Sequence, residues 1–237
     1  MRLSALPKAG ERPANPPYLG VRFDRAGRPV RDGGVTVIHH VTDPDANRAL
    51  SAARDRIAAA DGGRCLAWLP PSSYHMTLFD LLLHNRRDPT RWPKGLSTDA
   101  EDGAADRFLF DKLRRFDPGD AAPFRIAPRR IYAEDGGLGV AVEGADAQEE
   151  TRLRALRDRL AAATGLDERP GHDAYRFHIT LAYLIRWPTT AEAAALDAAI
   201  DAAEAALLAT LPHVDHGPPE VCAFHDMTAF SRAFFLE

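Results

Sequence analysis

Two short stretches of this 237-residue chain share a pattern of residue types able to move protons: His75-Met76-Thr77-Leu78 and His178-Ile179-Thr180-Leu181. On a strand, residues i and i+2 face the same way, so each histidine stands beside its threonine. An imidazole titrates near neutral pH, and two of them can divide the cleavage of a phosphoester. One, neutral, takes a proton from the attacking water or hydroxyl; the other, protonated, gives one to the leaving oxygen. Threonine hydroxyls can donate to the non-bridging phosphate oxygens. The chemistry calls for no cofactor and no metal, and the candidate catalytic residues are His75, Thr77, His178 and Thr180.

A lone H-x-T is a poor signal. His40-Val41-Thr42 has it too, and there Thr42 is more simply read as a helix-start residue beside Asp43. The weight comes from register. The offset of 103 residues that carries His75 onto His178 also carries, without a gap, Asp32-Gly33-Gly34 onto Asp135-Gly136-Gly137, Asp43 onto Asp146, and residues 50–62 onto 153–165. Apolar positions 50, 53, 57, 60 and 153, 156, 160, 163 repeat at helical spacing and give one buried stripe in each copy. Asp43-Pro44 reads as N-cap and first helical residue, and Gly62 and Gly165 as the left-handed residues that end the helices.

Each unit therefore reads as strand (18–24; 122–127), turn, strand (35–41; 138–143), helix (44–61; 146–164) and a last strand (75–83; 178–185) that carries the motif. The expected fold class is α+β, a bilobal domain over 18–237 with repeat cores at about 21–83 and 124–186, facing each other across a central cleft. A Pro-rich, charged stretch, 1–17, reads as a flexible arm. The inter-lobe insertion, 84–121, holds a Pro/Trp loop and a short amphipathic helix near 104–116. The carboxyl-terminal extension, 187–237, holds an Ala-rich helix at about 190–211 and strands near 220–225 and 229–235.

Strand parity sorts the neighbours. Arg176 shares the face of His178 and is a candidate phosphate clamp, and Phe79 shares that of His75 and is a candidate base-stacking residue. Tyr74 and Tyr175 have the opposite parity and reach the cleft only if the chain before each histidine is a loop; parity aims Tyr183 away. The loop Arg86 to Lys94 combines four basic residues with Trp92, the pattern of a lid or of a solvated loop around one packed indole. His39, His84, His172, His213, His216 and His225 lack metal-type spacing, so no structural zinc is expected. Cys65 and Cys222 read as buried thiols in a reducing compartment.

With 30 Lys+Arg against 34 Asp+Glu the net charge is -4, so there is no global positive field to hold DNA or a long RNA. A small or terminal phosphate fits this balance better. Neither a signal peptide nor an apolar run of membrane-spanning length is visible, which predicts a cytoplasmic monomer with no membrane partner.

The paired motifs, carried by His75, Thr77, His178 and Thr180, resemble those of the two-histidine (2H) phosphoesterase superfamily, over a span from about Tyr18 to the end. The stretch Pro71-Ser72-Ser73-Tyr74-His75-Met76-Thr77, with Trp92-Pro93 downstream, is similar to an uncharacterised bacterial and fungal branch of it. The resemblance implies a LigT-like fold with antiparallel sheets and a metal-independent cyclic phosphodiesterase. Its substrate would be a nucleoside cyclic phosphate or a cyclic-phosphate RNA end, as in RNA processing. Two other readings use the same cleft: a non-catalytic module that binds a phosphate ligand or RNA end, and a 2′-5′ RNA ligase-type enzyme. For catalysis the expected pH profile is a bell with both limbs in the ordinary histidine range.

Overall fold

The computed structural model describes residues 2–7, 10–119 and 123–237. Met1, Lys8 and Ala9 of the expected arm, and Asp120, Ala121 and Ala122 at the end of the insertion and the start of the expected 122–127 strand, lie outside the described residues.

The two repeat helices form where their caps and stripes place them. In α1 (Pro44–Ala58) Asp43 accepts from the Asp45 amide and Pro44 opens the first turn. In α3 (Ala147–Thr164) Asp146 accepts from the Glu149 amide, and Gly165 closes the helix at φ 73°. Both aspartates satisfy amide donors that a helix start leaves without partners. Leu50, Ala53 and Ile57 on α1, and Leu153, Leu156 and Leu160 on α3, are buried as the stripes require. Gly62 is left-handed, at φ 88°, but it lies beyond the end of α1 and opens a short 3-10 turn over Gly63–Cys65. Two further helices are α2 (Asp102–Leu113) in the insertion and α4 (Thr190–Thr210), whose start is fixed by a capping box between Thr189 and Glu192.

Among the described residues, nine strands complete the fold: β1 (Gly34–His40), β2 (Leu66–Trp68), β3 (His75–Leu83), β4 (Phe124–Glu134), β5 (Gly137–Gly144), β6 (His178–Leu184), β7 (Val214–His216), β8 (Glu220–Asp226) and β9 (Ala229–Phe235). They form one antiparallel sheet in the order β7-β4-β5-β6-β3-β1-β8-β9, with β2 added on β6. The α+β, bilobal, antiparallel architecture expected from the sequence is borne out. The sheet is curled: His39 on β1 meets the rings of Phe124 on β4 and His216 on β7, strands well separated in the order.

β3 and β6 meet through a single ladder pair, Met76 with Ile179, while β2, also from the first lobe, pairs with β6 over Leu66–Trp68. Met76 and Ile179 are related by the offset of 103, so the pair marks the pseudo-twofold axis of the duplication. Both side chains are fully buried, which leaves His75, Thr77, His178 and Thr180, all half-buried, on the other face.

Two expectations are corrected. Residues 18–24 form no strand: amides of Val21 and Arg22 return to the Tyr18 carbonyl, and Phe23 makes only isolated bridges. The place beside β1 that β4 fills beside β5 is taken by β8, from the other end of the chain. Local sequence cannot report such a replacement, because a strand is completed by whichever edge pairs with it. The arm does not hang free over its described residues. Leu3 and Leu6 are core side chains, the Asp197 carboxylate on α4 accepts from the amides of Leu3 and Ser4, and Trp187 Nε1 donates to the Pro13 carbonyl. Apolar burial at two leucines supplies the anchor that Pro-rich composition conceals.

Candidate active site

The register around the Met76–Ile179 pair sets the four motif residues together. One step either way along antiparallel strands brings His75 opposite Thr180 and Thr77 opposite His178. The two imidazoles are close enough for His178 to oppose a proton on His75 electrostatically.

Each histidine is held in the same way by its own strand. His75 Nδ1 donates to the Ser73 carbonyl at 2.7 Å, and His178 Nδ1 donates to the Arg176 carbonyl at 2.9 Å. A carbonyl only accepts, so both rings carry their neutral-state proton on Nδ1 and keep Nε2 as the basic nitrogen. Ser73 and Arg176 are themselves related by the offset of 103, so the duplication preserved the pin as well as the ring.

The fourth motif residue bends both strands. Opposite β1, Ile38 pairs with Thr77 and Val37 with Phe79, leaving Leu78 as an extra residue. Opposite β5, Gly139 pairs with Thr180 and Leu138 with Ala182, leaving Leu181 as the equivalent extra residue. Each bulge reverses the alternation beyond it. Phe79 is therefore turned into the core with no exposed surface, and Asp80 takes its expected place on the cleft side, half-exposed. In the second lobe Tyr183, expected to point away, turns towards the cleft, and its hydroxyl accepts from Arg22 Nη1. The stacking role expected of Phe79 is thus ruled out by its burial. Tyr74, 1% exposed, is likewise a core residue. Arg176 lines the cavity at its rim, exposed and paired with Glu134 at 3.0 Å.

Around this shared geometry the two sides differ. His75 is walled in: Phe230 on β9 lies 4.1 Å away between ring centroids, and His40 is its register partner on β1. His40 Nδ1 lies 3.0 Å from Glu220, which also pairs with Arg232 at 3.1 Å. His178 opens instead onto a cavity of about 640 Å³ lined by Tyr18, Arg22, Tyr132, Tyr175, Thr180 and Tyr183 among others. Its register partner on β5 is Ala141, where β1 has His40. His75 and Thr77 do not line this cavity.

Burial is the main cause of lowered proton affinity in both rings. His75 is pushed down to about 4, with the Ser73 carbonyl acting against the shift and His40 and His178 adding to it. His178 is also lowered; the Arg176 carbonyl opposes that shift and Arg22 contributes to it. Both rings are neutral at pH 7 in the free protein, so the titration range expected for ordinary histidines is displaced downward.

Tyr18, Arg22, Tyr132 and Glu220 were not legible as site residues. Arg22 falls in a stretch whose strand pattern is absent from the structure, and Glu220 reaches His40 only through the β1–β8 pairing. The loop from Arg86 to Lys94 packs its indole: Trp92 is 4% exposed and donates to Ser97, while Arg87 binds the Thr98 and Ala100 carbonyls and Asp102. None of that loop lines the cavity beside His178. Among the described residues, His40, Glu220 and Cys222 bring ligand-type atoms within 4.8 Å of one another, a proximity that spacing along the chain did not reveal. The Arg232 guanidinium already sits on the same carboxylate oxygen as His40 and competes with a cation there.

Fold and site together define a bilobal α+β protein with one imidazole from each lobe on a common face. The 2H-phosphodiest family, described as a domain of unknown function (DUF1868), matches residues 22–134. The resemblance to two-histidine phosphoesterases is thus borne out, over a segment that carries the first motif and ends before the second. Among solved structures, the conserved protein of unknown function ATU0111 from Agrobacterium tumefaciens strain C58 is 27% identical, covers 97% of each chain and superposes with a TM-score of 0.88. TT0787 of Thermus thermophilus is 19% identical over 79% of this chain and 86% of its own, with a TM-score of 0.43. No curated protein matches the chain. Among the described residues, no helix is long and apolar enough to cross a membrane.

Proposed function

We propose that the protein is a cyclic phosphodiesterase that opens a nucleoside cyclic phosphate, free or at an RNA end, by two-histidine acid–base catalysis without a metal. The observation that carries this reading is the pair of Nδ1-pinned imidazoles, each with a free Nε2 and a threonine hydroxyl on the same face. In a cyclic ester the leaving oxygen stays with the body of the substrate, and the room for that body is beside His178. His178 is therefore the general acid. His75, enclosed by Phe230 and His40 and held neutral, is the general base.

The step balances. Neutral His75 Nε2 takes a proton from water as the water oxygen bonds to phosphorus. The bond from phosphorus to the ribose oxygen breaks, and His178 Nε2–H protonates that oxygen. The product is a phosphomonoester, and proton exchange with solvent restores both rings. The anionic phosphate raises both proton affinities when bound, which loads His178 for its role. Thr77 and Thr180 donate to the non-bridging oxygens.

The test is turnover of 2′,3′-cyclic and 3′,5′-cyclic nucleotides and short cyclic-ended RNAs in chelator. Wild type should act, and His75→Ala and His178→Ala should each lose about 10²–10⁴-fold in kcat. Activity that survives either substitution, or that disappears with chelation, defeats the mechanism. Binding of a phosphate ligand without turnover defeats it in favour of a binding module.

A further inference from the structure

Arg22 is held in a manner that a structural ion pair alone does not require. Its guanidinium lies 4.1 Å from the centre of the Tyr18 ring and 5.0 Å from that of Tyr183. Nε donates to Asp32 at 3.3 Å and Nη1 to the Tyr183 hydroxyl at 2.7 Å. Two of five donors are thereby used, and the planar fork that remains lines the cavity beside His178. Gly136 makes room for this assembly: a Cβ there would lie 2.6 Å from the Tyr18 ring. The head group is desolvated, oriented and backed by a carboxylate that is 2% exposed, so little freedom is lost when it takes a ligand.

Its position sets what that ligand is. Arg22 lines the same cavity as His178 and Thr180, on the side where the body of the substrate lies, and Nη1 is tied to the Tyr183 hydroxyl three residues beyond Thr180 on β6. With the reacting phosphate taken by the two histidines and their threonines, what the remaining donors of Arg22 meet is a second group on the body of the same substrate. We propose that Arg22 is a specificity residue that binds a second anion, so that the preferred substrate is a cyclic phosphate whose body also carries a phosphomonoester or carboxylate. A nucleoside cyclic phosphate with a 5′-phosphate has this form; one with a free 5′-hydroxyl does not. The inference rests on the phosphodiesterase reading for the identity of the first phosphate, while the recognition of a second anion is measurable without turnover.

Calorimetric titration with adenosine 3′-monophosphate and adenosine 3′,5′-bisphosphate reads it directly. Wild type should bind the bisphosphate at least ~10-fold more tightly, the size of one charge-assisted contact. Arg22→Met should bring the ratio to about 1, and Arg22→Lys, which keeps a charge for Asp32 but loses the fork, should fall between. A wild-type ratio within twofold, or a ratio unchanged in Arg22→Met, overturns the proposal. If Arg22→Met fails to fold, an unchanged ratio in Arg22→Lys overturns it. Turnover of adenosine 2′,3′-cyclic phosphate with and without a 5′-phosphate separates the two readings. Equal turnover defeats the role of Arg22 and leaves the phosphodiesterase standing. No turnover with the affinity ratio intact defeats the phosphodiesterase and leaves the anion site.

Discussion

The first and second lobes handle protons identically and space oppositely. Both pin Nδ1 to the carbonyl two residues back, both alternate histidine with threonine, and both insert a bulge at the leucine that follows. Beyond that shared module, the first lobe faces its histidine with His40 and closes over it with Phe230. The second faces its histidine with Ala141 and leaves a cavity. Duplication thus supplied two equivalent imidazoles, and the strands beside them enclose one and leave a cavity at the other, the difference on which the proposed division into base and acid rests.

The sharpest way to break this comparison is to change the leaving group. A p-nitrophenyl phosphodiester needs little acid assistance. His178→Ala should therefore recover most of its ~10²–10⁴-fold loss on such a substrate while His75→Ala recovers none. Equal recovery by both variants in a rate assay would erase the distinction. Next in size is an exchange of character between lobes. Ala141→His places beside His178 the residue that faces His75, fills the cavity mouth and should lower kcat/KM by about 10²-fold through misplaced substrate. If the rate is kept, the cavity is not where the substrate sits.

Thr77→Val and Thr180→Val should each cost ~10-fold in kcat. The smallest expected effect is that of Phe230→Ala. Burial lowers His75, so removing the ring that covers it raises its proton affinity from about 4 towards the ordinary 6.5. The base must be neutral to act. Its activity is therefore lost as pH falls through this value, and the acid limb of kcat/KM should move to higher pH while the rate at pH 7 changes by no more than ~2-fold. In wild type, with both rings lowered, the maximum of kcat/KM should lie on the acid side of 6.5.

What the sequence disclosed follows the range of the interactions involved. The helices were legible because caps and stripes are local, and the motif pairing because a duplication repeats it. The bulges were not. Leu78 and Leu181 are ordinary strand residues, and their extra place exists only relative to β1 and β5. One such residue reverses the side chains that follow it up to the next irregularity, which is why Phe79 lies in the core and Tyr183 in the cleft. Arg22 and Glu220 were hidden for a related reason. Each reaches the site through a connection between distant parts of the chain, Arg22 to Tyr183 and Glu220 to His40.

The axis through Met76 and Ile179 has a consequence for direction. A site with true twofold symmetry presents the same groups to a ligand whichever way round it enters, and acid and base are then names that each encounter assigns afresh. His40 and Phe230 on one side, and Ala141 with its cavity on the other, remove one of the two ways in. On the proposed reaction, a substrate would be read with a head and a tail.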